Sequence, residues 1–261
     1  MRSPENQHAV FVLAPRSPSL ALLLVAWLTI LPVTARSANT DYALIMPKAQ
    51  SSLLLDIAAA GDRLVAVGER GHILYSRDGG RSWKQSRVPT SVMLTRVFFV
   101  SDTTGWAVGH DGNILLSTDG GVNWVLQRDG VSDQALINED RLASASGHLS
   151  DLQSQLGAGT TVAGKTVAGK TVEPDDLADL PEKAESALAS ALEVMDEPVY
   201  APPLMDIWFV NEDQGWASGA FGTLLHTTNG GRTWEDRSHT LDNAEEPHLN
   251  GVAGDSSGAL Y

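Results

Sequence analysis

SRDGGRSW (residues 76–83) sets two adjacent glycines, one acid and a terminal tryptophan in eight positions, and the chain writes the phrase twice more, as STDGGVNW (117–124) and TTNGGRTW (227–234). An Asp or Asn opening a tight turn accepts hydrogen bonds from the backbone N–H groups just downstream, and a Gly-Gly pair supplies the positive φ that a hairpin turn demands. The third copy decides between chemistry and shape. Asn229 stands where the other copies have Asp78 and Asp119; an amide keeps the acceptor oxygen but lacks the charge and basicity that a metal ligand or general base needs. The phrase is therefore a structural turn. Its members are Ser76, Asp78, Gly79, Gly80 and Trp83; Ser117, Asp119, Gly120, Gly121 and Trp124; and Thr227, Asn229, Gly230, Gly231 and Trp234. Each Trp is expected to fold back on its sheet, burying on the order of 200 Å², and each Ser or Thr to tie strands together.

Outward from the turns the registers agree over whole units. LLLDIAAAGDRLVAVGERGHILY aligns with VMLTRVFFVSDTTGWAVGHDGNILL and PPLMDIWFVNEDQGWASGAFGTLLH. Each unit reads as four short strands: one around Ile57, Val97 or Ile207, one ending in Gly68, Gly109 or Gly219, one around Ile73, Ile114 or Leu224, and one opened by the Trp. Four antiparallel strands in about forty residues is the period of a β-propeller blade. The expected fold is thus all-β, a propeller of about three and a half blades. A fourth unit opens at HLNGVAGDSSGALY (248–261), where Leu249 and Val252 match Leu94 and Val97, so the expectation is a C-terminal truncation that leaves edges or apolar faces uncovered.

Between the second and third turns the chain carries far more than one repeat. The excess, residues 130–200, holds 13 acids and 4 bases. Residues 134–155 and 175–197 have helical composition and spacing, and TVAGKTVAGK between them reads as a duplicated flexible pentamer. This is an acidic helical insertion, either a solvated excursion or a docking element.

At the other end, Arg2 and Arg16 flank a polar start, an apolar run follows over 20–33, and Val33-Thr34-Ala35 has the small residues of an export cleavage site. The expected organisation is a signal segment at 1–35, a lead-in at 36–51, two blades at 52–129, the insertion at 130–200, and a third blade with the start of a fourth at 201–261. The whole chain carries a formal charge of −14, which argues against nucleic acid, whose phosphates need a basic footprint. With no cysteine, a disulfide framework, a thiolate metal site and a cysteine nucleophile are excluded.

The pattern S/T-x-D/N-G-G-x-x-W resembles the Asp-box, or bacterial neuraminidase repeat. Together with Gly105-Trp106-Ala107-Val108-Gly109 and Gly215-Trp216-Ala217-Ser218-Gly219 it resembles the photosystem II stability and assembly factor family of β-propellers. The resemblance covers residues 52–129 and 202–236. It implies a non-catalytic, exported protein, in the periplasm or a thylakoid lumen, that binds a protein partner within a membrane complex, either a photosystem or, in a non-photosynthetic bacterium, a transporter. No cofactor, metal or small-molecule substrate is implied.

Three further features bear on function. Residues 61–96 hold 7 bases against 3 acids, and Arg63, Arg70 and Arg96 are the candidate partner-binding residues. His72, His110 and His226 sit at different repeat offsets, which does not suit a shared metal site. A sialidase-like glycoside hydrolase is the alternative, because such enzymes use the same fold with three arginines, a tyrosine nucleophile and its glutamate, and an acid/base aspartate. Tyr75, however, falls in a turn-flanking strand, and no start motif places the first arginine.

Overall fold

The computed structural model describes residues 41–157, 166–167, 170–171, 180–242, 245, 247–255 and 258–261. The signal segment expected at 1–35 lies outside them. Among the described residues no helix is long and apolar enough to cross a membrane.

Three four-stranded antiparallel sheets account for the repeat, each strand pairing with the next in sequence. The first sheet is β1 (Leu54–Ala60), β2 (Arg63–Gly68), β3 (Ile73–Ser76) and β4 (Lys84–Gln85); the second is β5 (Leu94–Phe99), β6 (Gly105–Gly109), β7 (Ile114–Ser117) and β8 (Val125–Arg128). Between the second and third sheets come helix α1 (Gly130–Gly157), a two-stranded pair β9 (Thr166–Val167) and β10 (Lys170–Thr171), and helix α2 (Leu180–Asp196). The third sheet is β11 (Leu204–Phe209), β12 (Gly215–Gly219), β13 (Leu224–Thr227) and β14 (Glu235–Asp236). The fourth strands begin one residue after Trp83, Trp124 and Trp234, so the tryptophans close the turns rather than open the strands. Within the duplicated pentamer Val167 pairs with Lys170 and Thr166 with Thr171, as β-branched residues favour. The first helix starts at Gly130, four residues earlier than its composition suggests, because Asp129 caps it: Oδ1 accepts from the Val131 N–H at 3.1 Å.

Register repeats as closely as sequence does. In every unit the first and second strands pair around one bulge, between Leu54 and Asp56, Leu94 and Arg96, or Leu204 and Asp206. The first strands of successive units lie side by side, β1 against β5 and β5 against β11. The core is accordingly not inside any sheet but between sheets. Val65, Val67 and Ile73 of the first pack against Leu94, Val97, Ala107, Leu115 and Trp124 of the second. A second layer sets Trp106, Val108 and Ile114 against Leu204, Ile207, Phe209 and Leu225, with the Trp106 and Phe209 rings stacked at 3.5 Å. Residues so placed are fully buried, each side chain contributing roughly 1.5–3 kcal/mol by leaving water. Among the described residues the outer side of β1 has no such neighbour: Leu55 and Ile57, with Leu53 just before the strand, are 44%, 54% and 52% exposed.

The lead-in does not hang free of the first sheet. Ala43 is buried in its core, and its N–H donates to the Val88 carbonyl at 3.0 Å. Gln85 brackets the same segment, Nε2 donating to the Leu44 carbonyl and Oε1 accepting from the Met46 N–H, both at 2.8 Å. At the other end, the Val252 N–H donates to Asp206 Oδ2 at 2.9 Å, and Gly254 bridges Leu260, so the last described residues are tied to the third sheet.

Candidate partner-binding surface

The three turns are built alike. In the first, Ser82 N–H donates to Asp78 Oδ1 at 2.8 Å and the Ser82 hydroxyl to Oδ2 at 2.6 Å. In the second, Asn123 N–H donates to Asp119 Oδ1 at 2.9 Å and Asn123 Nδ2 to Oδ2 at 2.7 Å. In the third, Thr233 N–H donates to Asn229 Oδ1 at 3.0 Å, and the amide then reverses the last bond, its Nδ2 donating to Thr233 Oγ1 at 2.8 Å. Hydrogen bonds from the Ser82 side chain, then its backbone, then Ser76, hold the Asp78 pKa down at about 2. At Asp119 burial pushes the other way, but the bonds from Asn123, Ser117 and Val122 together prevail and the pKa is lowered.

The Ser/Thr of each turn does something other than join strands. Ser76, Ser117 and Thr227 are buried; each hydroxyl donates to the turn carboxylate or amide and accepts the N–H of Gly80, Gly121 or Gly231, at 2.8, 2.9 and 2.9 Å. In the second and third turns the second glycine faces the preceding sheet, Gly121 against Val65 and Gly231 against Gln127. A Cβ on Gly121, whose φ is +84°, would stand 2.5 Å from Val65 Cγ2, so both its φ and its contact exclude a side chain. The tryptophans follow the same logic. Trp124 meets Phe99 edge-on at 6.1 Å and Trp234 meets Phe209 at 5.9 Å, whereas Trp83 in the first sheet is only half-buried.

The three candidate arginines do not converge. Arg63 Nη1 donates to the Asp119 carbonyl, and at 3.3 Å to that of Gly120, tying the second turn to the first sheet. It also borders a shallow cavity of about 360 Å³ with Asp62, Arg77 and Asp102. Arg96 is shared by two carboxylates: its Nε lies 2.9 Å from Asp206 and its Nη1 3.5 Å from Asp56. The repeated bulge brings these three together, since Asp56, Arg96 and Asp206 hold the same place in successive units, and re-aiming a side chain is what a bulge does. Each aspartate also accepts a backbone N–H from the following unit, Val97 for Asp56 and Val252 for Asp206, both at 2.9 Å. Arg70 is exposed, makes no hydrogen bond or ion pair among the described residues, and lies beyond the far end of β2 from Arg63, on the order of 20 Å away along the strand.

Arg70 marks a feature that the sequence carried unread. The link from second to third strand is G-E-R-G, G-H-D-G and G-A-F-G, and its third residue is left-handed in each unit: Arg70 at φ +56°, Asp111 at +57° and Phe221 at +55°. The glycine after each is also at positive φ. A non-glycine residue there costs roughly 1–2 kcal/mol, yet all three side chains point to solvent and all three differ in chemistry. The repeated G-x-x-G spacing was the available signal. The insertion rises from this same rim. Arg128 pairs with Asp133 at 2.9 Å and donates to the Gly112 carbonyl at 2.7 Å; α1 touches the loop 110–112 and packs along α2. Its two ends meet there as well, because a Cβ on Gly112 would stand 3.1 Å from Gly130 Cα and 3.5 Å from Ala201 Cβ.

Stacked four-stranded sheets, self-capped turns between third and fourth strands and a rim of variable loop residues define a repeat protein of the bacterial-neuraminidase-repeat β-propeller class. The model of the family described as photosynthesis system II assembly factor YCF48 matches residues 30–118 and 184–257, more than half of the sequence, and the chain belongs to that family. The match passes over α1. A relative from Oryza sativa subsp. japonica, the chloroplastic photosystem II stability/assembly factor HCF136, is 45% identical over 40 residues, 15% of this chain and 9% of that protein. Two solved structures are similar at 14% identity. A YCF48 bound to D1 peptide has a TM-score of 0.26, with 70% of this chain and 66% of that one covered; YCF48 from Cyanidioschyzon merolae has a TM-score of 0.24, with 67% and 66% covered. The chain thus spans under a tenth of the rice protein and just under two thirds of each solved relative.

Proposed function

We propose that this chain is a non-catalytic, exported binding module that helps a membrane protein complex assemble. Its sheets are successive blades of a β-propeller, and its partner is a polypeptide rather than a metabolite or nucleic acid. The family match over 30–118 and 184–257 carries this reading. In a photosynthetic source the complex is a photosystem; elsewhere it is another membrane assembly such as a transporter. The rim supports the reading from the side of physics. Loop positions that hold strained, solvent-facing and chemically different residues on a common scaffold suit recognition better than stability. Among the candidate arginines, Arg70 is the one placed to meet a partner, while Arg63 and Arg96 hold the sheets to one another.

Affinity capture tests it. The tagged protein, incubated with detergent-solubilised membranes of its source, should retain a defined membrane protein identified by mass spectrometry. Recovery of nothing beyond an untagged control would sink the proposal. Sequencing the N-terminus of the secreted product checks the export segment, with cleavage expected after Ala35.

A further inference from the structure

On the rim of the third sheet, three exposed rings meet that the cores do not use. Tyr200 lies edge-on to Phe221, centroids 6.3 Å apart at 73°, and His248 tilts against Phe221 at 5.1 Å and 57°. Tyr200 is 57% and Phe221 50% exposed. The cluster is fastened by its backbone: the Phe221 N–H donates to His248 Nδ1 at 3.3 Å, and the Gly222 N–H donates to the Pro247 carbonyl at 3.0 Å. Folding does not ask for an aromatic here, because the equivalent left-handed positions hold Arg70 and Asp111.

The segments that contribute the rings carry charges of one sign, and the basic side chain nearest them in the third sheet, Arg237, whose N–H donates to the Leu224 carbonyl, is paired with Glu235 at 2.8 Å. Between Lys183 and Arg232 the sequence has no lysine or arginine and seven acids, and from Ser238 to Tyr261 it again has no lysine or arginine. Every segment that contributes a ring comes from these stretches. Asp206 is occupied by Arg96, but Glu193, Asp196 and Glu197, just before Tyr200, are exposed, as is Asp111 on the adjacent loop. Arg128, the cation reaching that loop, is neutralised by Asp133. Aromatic faces carry negative quadrupole charge and, set among carboxylates, attract a cation whose apolar stem can lie along the ring. The chain already uses this contact internally, with the Arg87 guanidinium 4.3 Å from the centroid of the Tyr42 ring.

We propose that Tyr200, Phe221 and His248 form a seat for a lysine or arginine side chain of the partner polypeptide. The inference deepens the binding-module reading and rests on it for the partner being a protein. The probe is a fluorescein-labelled peptide of alternating glycine and arginine, followed by anisotropy at about 150 mM salt, where the Debye length is about 8 Å and diffuse attraction to the acidic insertion is largely screened. Its counterpart carries citrulline for arginine. The arginine peptide should bind and the citrulline peptide should not. Tyr200→Leu and Phe221→Gly should each weaken binding about fivefold or more, and Arg70→Gly, the same backbone change on another loop, should leave it unaltered. Phe221→Gly should hold or raise the melting temperature, because glycine adopts the left-handed conformation without strain, so its loss of binding is not loss of fold. The seat is overturned if the wild type binds neither peptide, binds both alike, or binds the arginine peptide as well after Phe221→Gly. Capture from solubilised membranes separates the two proposals. Equal partner recovery by wild type and Phe221→Gly removes the seat and leaves the assembly role; no recovery by the wild type, with Phe221-dependent peptide binding intact, does the reverse.

Discussion

Asp119 and Asn229 perform one task with different atoms. Both offer an oxygen to the N–H four residues on, and the neighbouring side chain, Asn123 or Thr233, supplies whichever hydrogen-bonding role the second atom leaves open. Asp119→Asn should therefore be nearly silent in denaturant melts at neutral pH, since Asn123 can turn its amide to present oxygen. Asp119→Ala should cost about 1–2 kcal/mol by stranding backbone donors, and Ser117→Ala a similar amount, because its buried hydroxyl receives the Gly121 N–H. Equal losses for Asp119→Asn and Asp119→Ala would reopen a charge-dependent role.

His72 sets a pH limit. It is buried, and Ser52 Oγ, whose hydroxyl donates to the Ala49 carbonyl, lies 2.8 Å from its Nδ1. Nδ1 accordingly carries the proton, and Nε2 is buried without a partner among the described residues. Burial, with a smaller contribution from Arg70 and against the pull of Glu69, lowers the His72 pKa below 6.5; His226 is lowered likewise, by burial and then Arg237. The unfolded chain thus binds more protons than the folded one between the two pKa values. This stabilisation is complete above about pH 6.5 and disappears as pH falls through the folded values. The Asp78 contribution is lost further down, between 3.8 and about 2. The melting temperature should fall as the pH is taken below about 6.5, and His72→Asn, whose amide can take the Nδ1 place, should flatten part of that fall. An unchanged pH dependence in the variant would exclude His72 as a source.

At the scale of elements, the insertion is separable. Gly130 and Ala201 flank the same point of the Gly112 loop, so a short linker can replace the two helices without pulling on β8 or β11. Replacing residues 131–197 by a few Gly-Ser residues, which spares Tyr200, should leave the β-sheet circular dichroism and the melting transition nearly unchanged, since closure entropy varies only slowly with loop length. Partner capture then reports whether the hairpin docks: reduced recovery on deletion, with recovery by the intact chain weakening as salt is added, marks a docking element, and undiminished recovery a solvated excursion. Collapse of the third sheet would contradict the separability itself. Proximity of the two ends was not visible in the sequence, which showed only that a long stretch interrupts the repeat.

For the whole molecule, stability resides between sheets, and the outer face of β1 presents Leu53, Leu55 and Ile57 to water. An apolar sheet face of this kind drives association. The chain should self-associate with rising concentration in light scattering, and the double change Leu55→Glu and Ile57→Glu should suppress this without lowering the melting temperature. A monodisperse monomer over the same range would show that the face is harmless in isolation.

By itself the sequence determined the repeat, its four-strand units and the shape-giving purpose of the turn acids. Those depend on local physics: period-two alternation, left-handed glycines, and a side-chain acceptor three or four residues from its donors. It also carried the G-x-x-G rim, in a spacing as regular as the turns themselves. Only the tertiary structure decided which residues meet across units. The bulges turn Asp56, Arg96 and Asp206 toward one another, Arg63 reaches a turn 56 residues away, and Tyr200, Phe221 and His248 assemble from three distant segments. Such contacts depend on how one twisted sheet stacks on the next, and no local pattern encodes them. For that reason the three candidate arginines of one basic stretch became, in space, two ties between sheets and one side chain without a partner among the described residues.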